Sequence, residues 1–153
     1  MRRAGLVAAA FVTWGLVLPA PAEAQRLDLT ILPLVVTFPS SDPDTVPVIS
    51  GTPVQITYRI RQNSGPWSMT VLAGGDLIAG PATVDISNVT WIATPSPPFQ
   101  NGTLNKTVAQ RVASGVGNVN NLTTGSLTFR LANAWTYSTG NYTQTVLFTL
   151  SAP

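Results

Sequence analysis

The chain has 153 residues, eight Lys or Arg against six Asp or Glu, a net charge of +2, and neither histidine nor cysteine. Without those two residue types a Ser-His-Asp or Cys-His centre, a His- or Cys-ligated zinc site and a disulfide framework are all excluded. So few and scattered cations make no polybasic stripe, which argues against a nucleic-acid partner.

The first element reads as a targeting signal. Arg2 and Arg3 form a positive n-region and residues 4–18 an uncharged apolar run. Pro19 and Pro21 follow, and Ala22-Glu23-Ala24 places small residues where a signal peptidase reads. The run is shorter than the ~20 apolar residues that span a bilayer, so cleavage after Ala24 is expected rather than a permanent anchor. The expected organisation is residues 1–24 as signal peptide and residues 25–153 as one domain. That domain would be secreted, to the extracellular side or to the cell envelope (periplasm or outer surface where there are two membranes). It keeps Arg26, Arg59, Arg61, Lys106, Arg111 and Arg130 against Asp28, Asp42, Asp44, Asp76 and Asp85, and it has no glutamate. No segment after Ala24 is apolar enough to span a membrane.

From there the period is two. Residues 27–32, 35–38 and 46–49 read as short strands, separated by the turn cluster at residues 40–44. Val54, Ile56, Tyr58 and Ile60 alternate with Gln55, Thr57, Arg59 and Arg61, as in a strand with one buried and one wet face. After Asn63-Ser64-Gly65-Pro66, read as a hairpin turn, Trp67, Met69 and Val71 alternate with Ser68 and Thr70. Gly74-Gly75-Asp76 closes that strand. Residues 83–86 and 89–94 continue the pattern. Residues 94–102 hold too many prolines for a central strand, since each lacks a ladder donor. Residues 107–116 fit either a helical turn or an edge strand, and residues 115–125, rich in Asn and Gly, read as a flexible loop. Leu127, Phe129 and Leu131 mark another strand, and residues 142–151 the last. The expected fold is therefore all-β: a single immunoglobulin-like antiparallel β-sandwich of about 7–10 short strands behind a signal peptide.

Little chemistry remains for such a domain. Lys106, the only lysine, sits in a polar Asn-Lys-Thr loop where nothing would depress its pKa, so it reads as a solvated cation rather than a base. The aspartates fall mostly in turn-like contexts where turn chemistry explains them. Asp42 and Asp44 offer only two carboxylates to a calcium ion that takes about six to eight oxygens, and an ordinary turn is the expectation. Five Asn-x-Thr sequons, at Asn88, Asn101, Asn105, Asn121 and Asn141, arise naturally in an Asn- and Thr-rich chain. The expectation is no enzyme, no cofactor and no metal. Trp67 and Trp91 read as core. Trp135 and Tyr137, just before a glycine turn, either pack into the core or a corner, or form an exposed platform for a glycan or a partner subunit.

The run from Gly140 and Tyr142 through Phe148 and Leu150 to Pro153 resembles the closing strand of WxL-type bacterial surface domains. Those domains end in a Gly-x-Tyr-Thr turn, an alternating strand with an aromatic-Thr-Leu core, and a proline. Gly65-Pro66-Trp67-Ser68-Met69 is similar to their Trp-x-Leu element, with Met69 where Leu is usual and Phe148 where the second Trp is usual. The resemblance implies a non-enzymatic sandwich held non-covalently on the cell envelope, with an envelope component or other surface proteins as partner. The same tail is similar to pilin-type fibre subunits, which implies self-assembly. Gly140 would open the last strand, and Leu27, Leu29 and Ile31 would be an N-terminal donor strand completing a neighbour's sheet. The frequent disulfide and the penultimate aromatic of those subunits are absent, the latter position being Ala152. A small carbohydrate-binding module using Trp135 and Tyr137 is a further alternative.

Overall fold

The computed structural model describes residues 26–61 and 64–152; the signal segment and its cleavage site lie outside the described residues. Among the described residues eleven strands follow one another: β1 (Arg26–Leu32), β2 (Val48–Ser50), β3 (Val54–Arg61), β4 (Pro66–Ala73), β5 (Leu77–Ala79), β6 (Ala82–Val84), β7 (Val89–Thr94), β8 (Gly102–Thr103), β9 (Gln110–Val116), β10 (Val119–Ala132) and β11 (Val146–Ser151). One sheet runs β1-β3-β10-β7-β8, with β2 on the far end of β10. The facing sheet runs β11-β4-β9, and β5 and β6 form a small hairpin. All pairings are antiparallel. The fold is an all-β sandwich, and among the described residues no helix is long and apolar enough to cross a membrane.

Alternation decides which side chains meet in the middle. Val54, Ile56, Tyr58 and Ile60 of β3 face Trp67, Met69 and Val71 of β4, all buried. Trp91 on β7 and Leu127 and Phe129 on β10 extend the core on one side, and Val112 of β9 closes it on the other. Burying a large apolar side chain of this kind contributes about 1.5–3 kcal/mol against leaving it in water. Tyr58 sits at the centre, 5.2 Å from the Trp67 ring and 5.9 Å from Phe99 in an edge-on contact.

Several connections differ from the sequence reading. β3 and β4 do not pair as a hairpin, because they belong to opposite sheets; Asn63 of the expected turn lies outside the described residues. Residues 115–125 are not a flexible loop: they finish β9, turn at Gly117, and form the first half of β10. Ladder bonds to β3 (Thr123 opposite Tyr58, Thr124 opposite Thr57) and a Thr57–Thr124 hydroxyl contact of 2.9 Å hold polar residues in strand form that composition assigns to a loop. Gly117 adopts φ +76°, which a residue with a Cβ resists, and its N–H donates to the Gly65 carbonyl at 2.9 Å. The two corners between the sheets are thus tied together. Residues 107–116 resolve into the edge strand β9. Residues 35–38 are not a strand: Pro33 and Pro39 bracket them, and Val36 and Phe38 pack on the core from irregular backbone. The predicted strand 83–86 stops at Val84, where Asp85 caps a 3-10 turn over Ile86–Asn88 by accepting from Ser87 N–H at 2.8 Å. The last strand begins at Val146 rather than Tyr142.

Candidate functional site

The most distinctive surface feature is built where β10 leaves its sheet. Asn133 ties that exit to the segment before β2. Its backbone N–H donates to the Pro47 carbonyl at 2.9 Å, and its side-chain amide donates to Ser41 and Val46 carbonyls at 3.0 and 3.1 Å. Asp42 folds that segment into a turn, its carboxylate accepting from Asp44 N–H at 2.8 Å and its carbonyl accepting from Val46 N–H at 2.8 Å. The turn aims Asp44 outward, where its Oδ1 accepts from the Trp135 indole N–H at 3.0 Å. Trp135 is 67% exposed. An indole that has satisfied its one donor and still shows most of its ring to solvent is a fixed apolar surface.

Trp135 therefore lies on the surface, whereas Tyr137 does not join it. Tyr137 is half-buried against the core, and that burial raises its phenol pKa, with a smaller contribution from Tyr142. The Tyr142 hydroxyl donates to the Ser138 carbonyl at 2.9 Å and its ring packs against the core. Gly140 lies against the β5–β6 hairpin, where a Cβ would come within 2.8 Å of Ala79. Thr143 bridges Ile78 in both directions, at 3.0 and 3.1 Å. Phe148 and Leu150 are half-buried on the inner face of β11.

Leu27, Leu29 and Ile31 sit on β1, which pairs with β3 of the same chain over its full length. Leu29 and Ile31 pack on the core, while Leu27 is more exposed. Asp28 stands directly opposite Arg59 and accepts from its guanidinium at 2.6 and 2.8 Å. That hydrogen bond holds the Asp28 carboxyl below the usual carboxylate range.

Lys106 lies in a second polar cluster. Its ammonium donates to Asp76 at 2.7 and 2.9 Å and approaches Asp85 at 3.7 Å. Asp76 also accepts from Ile86 N–H at 3.1 Å, so the three charges join the β4–β5 turn, the 3-10 turn and the loop before β9. The pKa of Lys106 is raised by Asp76 first, and that of Asp76 is lowered by Lys106. A lysine stabilised as the ammonium is the opposite of a general base. No group of three or more acidic residues that would hold a metal ion occurs among the described residues; Asp42 and Asp44 are engaged in the turn and with the indole.

Asp44 as the anchor of Trp135 escaped sequence reading, because the pair is separated by 91 residues and Asp42-Pro43-Asp44 reads as a turn. The Lys106 cluster was hidden the same way. No family model matches the chain, and no curated protein matches it either.

Proposed function

We propose that the chain is exported and that its sandwich works at the cell surface as a non-enzymatic binding domain, presenting Trp135 to a component of the envelope. The observation that carries this reading is the exposed indole held in place by Asp44. A ring fixed before contact loses little conformational freedom on binding, and its flat apolar face suits the apolar face of a sugar ring or an aliphatic patch on another surface protein. The n-region, apolar run and small-residue site ahead of Gln25 support export. The Asp76–Lys106–Asp85 cluster supports a role other than catalysis, since the chain's only lysine is engaged as a cation.

The test is co-sedimentation of the chain lacking residues 1–24 with cell-envelope material. Retention of the native chain and loss of retention in Trp135→Ala are expected, with an unchanged unfolding midpoint, because the ring contributes little to the core. Equal retention of the variant would remove Trp135 from the contact. Absence of the native chain from every envelope fraction would overturn the reading. Protease treatment of the envelope before mixing distinguishes a glycan partner from a protein one.

A further inference from the structure

Among the described residues the two facing sheets have five strands with a neighbour on one side only, and unpaired backbone N–H and C=O groups along such an edge are a template for another strand. Four are defended. The edges at β8 and β2 are two and three residues long. The edge at β9 is occupied by the proline-rich loop: Gln100 N–H donates to the Val112 carbonyl at 2.8 Å, Ser114 N–H donates to Pro98 at 3.3 Å, and Phe99 bridges Ala113. The edge at β1 carries Arg26 and Asp28. The fifth, β11, has none of these devices. Val146–Ser151 is six residues without charge, proline or glycine, paired with β4 in unbroken register on one side and, among the described residues, with no strand hydrogen-bonded on the other.

We propose that the free edge of β11 is a self-association site, at which two copies of this chain pair β11 to β11 antiparallel about a two-fold axis. The side chains of β11 fit themselves in that register. With Phe148 opposite Phe148 of the second copy, Val146 meets Leu150 and Leu147 meets Thr149, so each face of the strand meets its like. Val146, Phe148 and Leu150 are only half-buried in the single chain, and a neighbouring strand would cover them. Leu147, 63% exposed on the outer face, gains a partner beside it. β11 itself brings no charge to the pairing, whereas a strand such as β1 would bring Asp28, which already serves Arg59 in its own sheet. The product is a closed dimer with a continuous six-stranded sheet in the order β9-β4-β11-β11-β4-β9.

The test is the native mass of the chain lacking residues 1–24 over a dilution series, beside Leu147→Lys, which places a charge on the exposed edge without touching the core. A mass of two chains for the native protein and of one chain for the variant is expected, with identical near-ultraviolet circular dichroism. Because the chain has no cysteine, Leu147→Cys/Thr149→Cys gives an independent readout: mild oxidation should yield a reducible covalent dimer, and Leu147→Cys alone should not. A native protein that stays monomeric, or a dimer that survives Leu147→Lys and does not cross-link, would overturn the proposal. So would open polymers that vanish on removal of residues 25–33, which mark strand donation by β1. Each of these readouts is independent of envelope binding, so the dimer and the surface role fail separately.

Discussion

Trp67 and Trp91 each stand directly across a strand pair from a glycine, Gly115 and Gly102 respectively, and each indole lies over the space a Cβ would fill. A Cβ on Gly115 would come within 2.7–2.8 Å of the Trp67 indole. Phe99 descends from the proline-rich loop onto Gly125 of β10 in the same way, so three large inward rings are seated on bare backbone. Such a seat lets a large ring lie flat against a sheet, and added volume there forces the ring out of its packing. Gly125→Ala is therefore expected to cost about 1–3 kcal/mol, read as a lowered urea midpoint with an unchanged slope. A variant as stable as the native chain would show that the ring is not seated as described. The tryptophans' inward direction was legible from alternation alone. Their glycine partners were not, because a cross-strand neighbour distant in sequence leaves no local signal.

The elements that sequence located well are those whose period and burial agree. β3, β4, β7 and β11 each bury every second side chain wholly or in part, although Leu72, Ile92 and Leu147 add apolar residues to the outer face, and the observed spans Val54–Arg61 and Val89–Thr94 match the reading. The first half of β10 was missed because Asn, Thr and Gly dominate it and its two apolar residues, Val119 and Leu122, lie three apart and out of the period of two. Strand form there comes from ladder bonds to β3, a tertiary cause invisible to local propensity. Charge pairs tie distant elements: Asp28–Arg59 joins β1 to β3, and Lys106 joins Asp76 to Asp85. All three carboxyls have lowered pKa values, for Asp28 through Arg59, for Asp76 through Lys106 and for Asp85 through Ser87. A carboxyl lowered in the folded state contributes stability above its unfolded pKa of about 4, and that contribution is lost as pH falls through the folded value. Without histidine, nothing of the kind titrates between pH 5 and 8. Urea midpoints are therefore expected to be flat from about pH 8 to 5 and to fall below about pH 4, with a shallower fall in Asp76→Asn. A midpoint that declines between pH 7 and 5 would contradict the assignment of these pairs.

At the scale of the whole molecule, the fold class was legible because nearly every segment carried the same period of two and the same turn residues. The candidate site was half legible: Trp135 stood out as an aromatic before a glycine turn, but its fixing by Asp44 was not visible, and the packing of half-buried Tyr137 against the core depends on how residues 133–145 lie back on the sandwich. Without cysteine no disulfide supports the sandwich, so its apolar core and hydrogen-bonded ladders hold the fold. The central claim, export followed by a non-enzymatic surface role, is tested most directly by fractionating the producing cells and measuring the intact mass of the protein in each fraction. A chain beginning at Gln25, in the envelope or extracellular fraction, is the expected result. Full-length protein retained in the cytoplasm would contradict it.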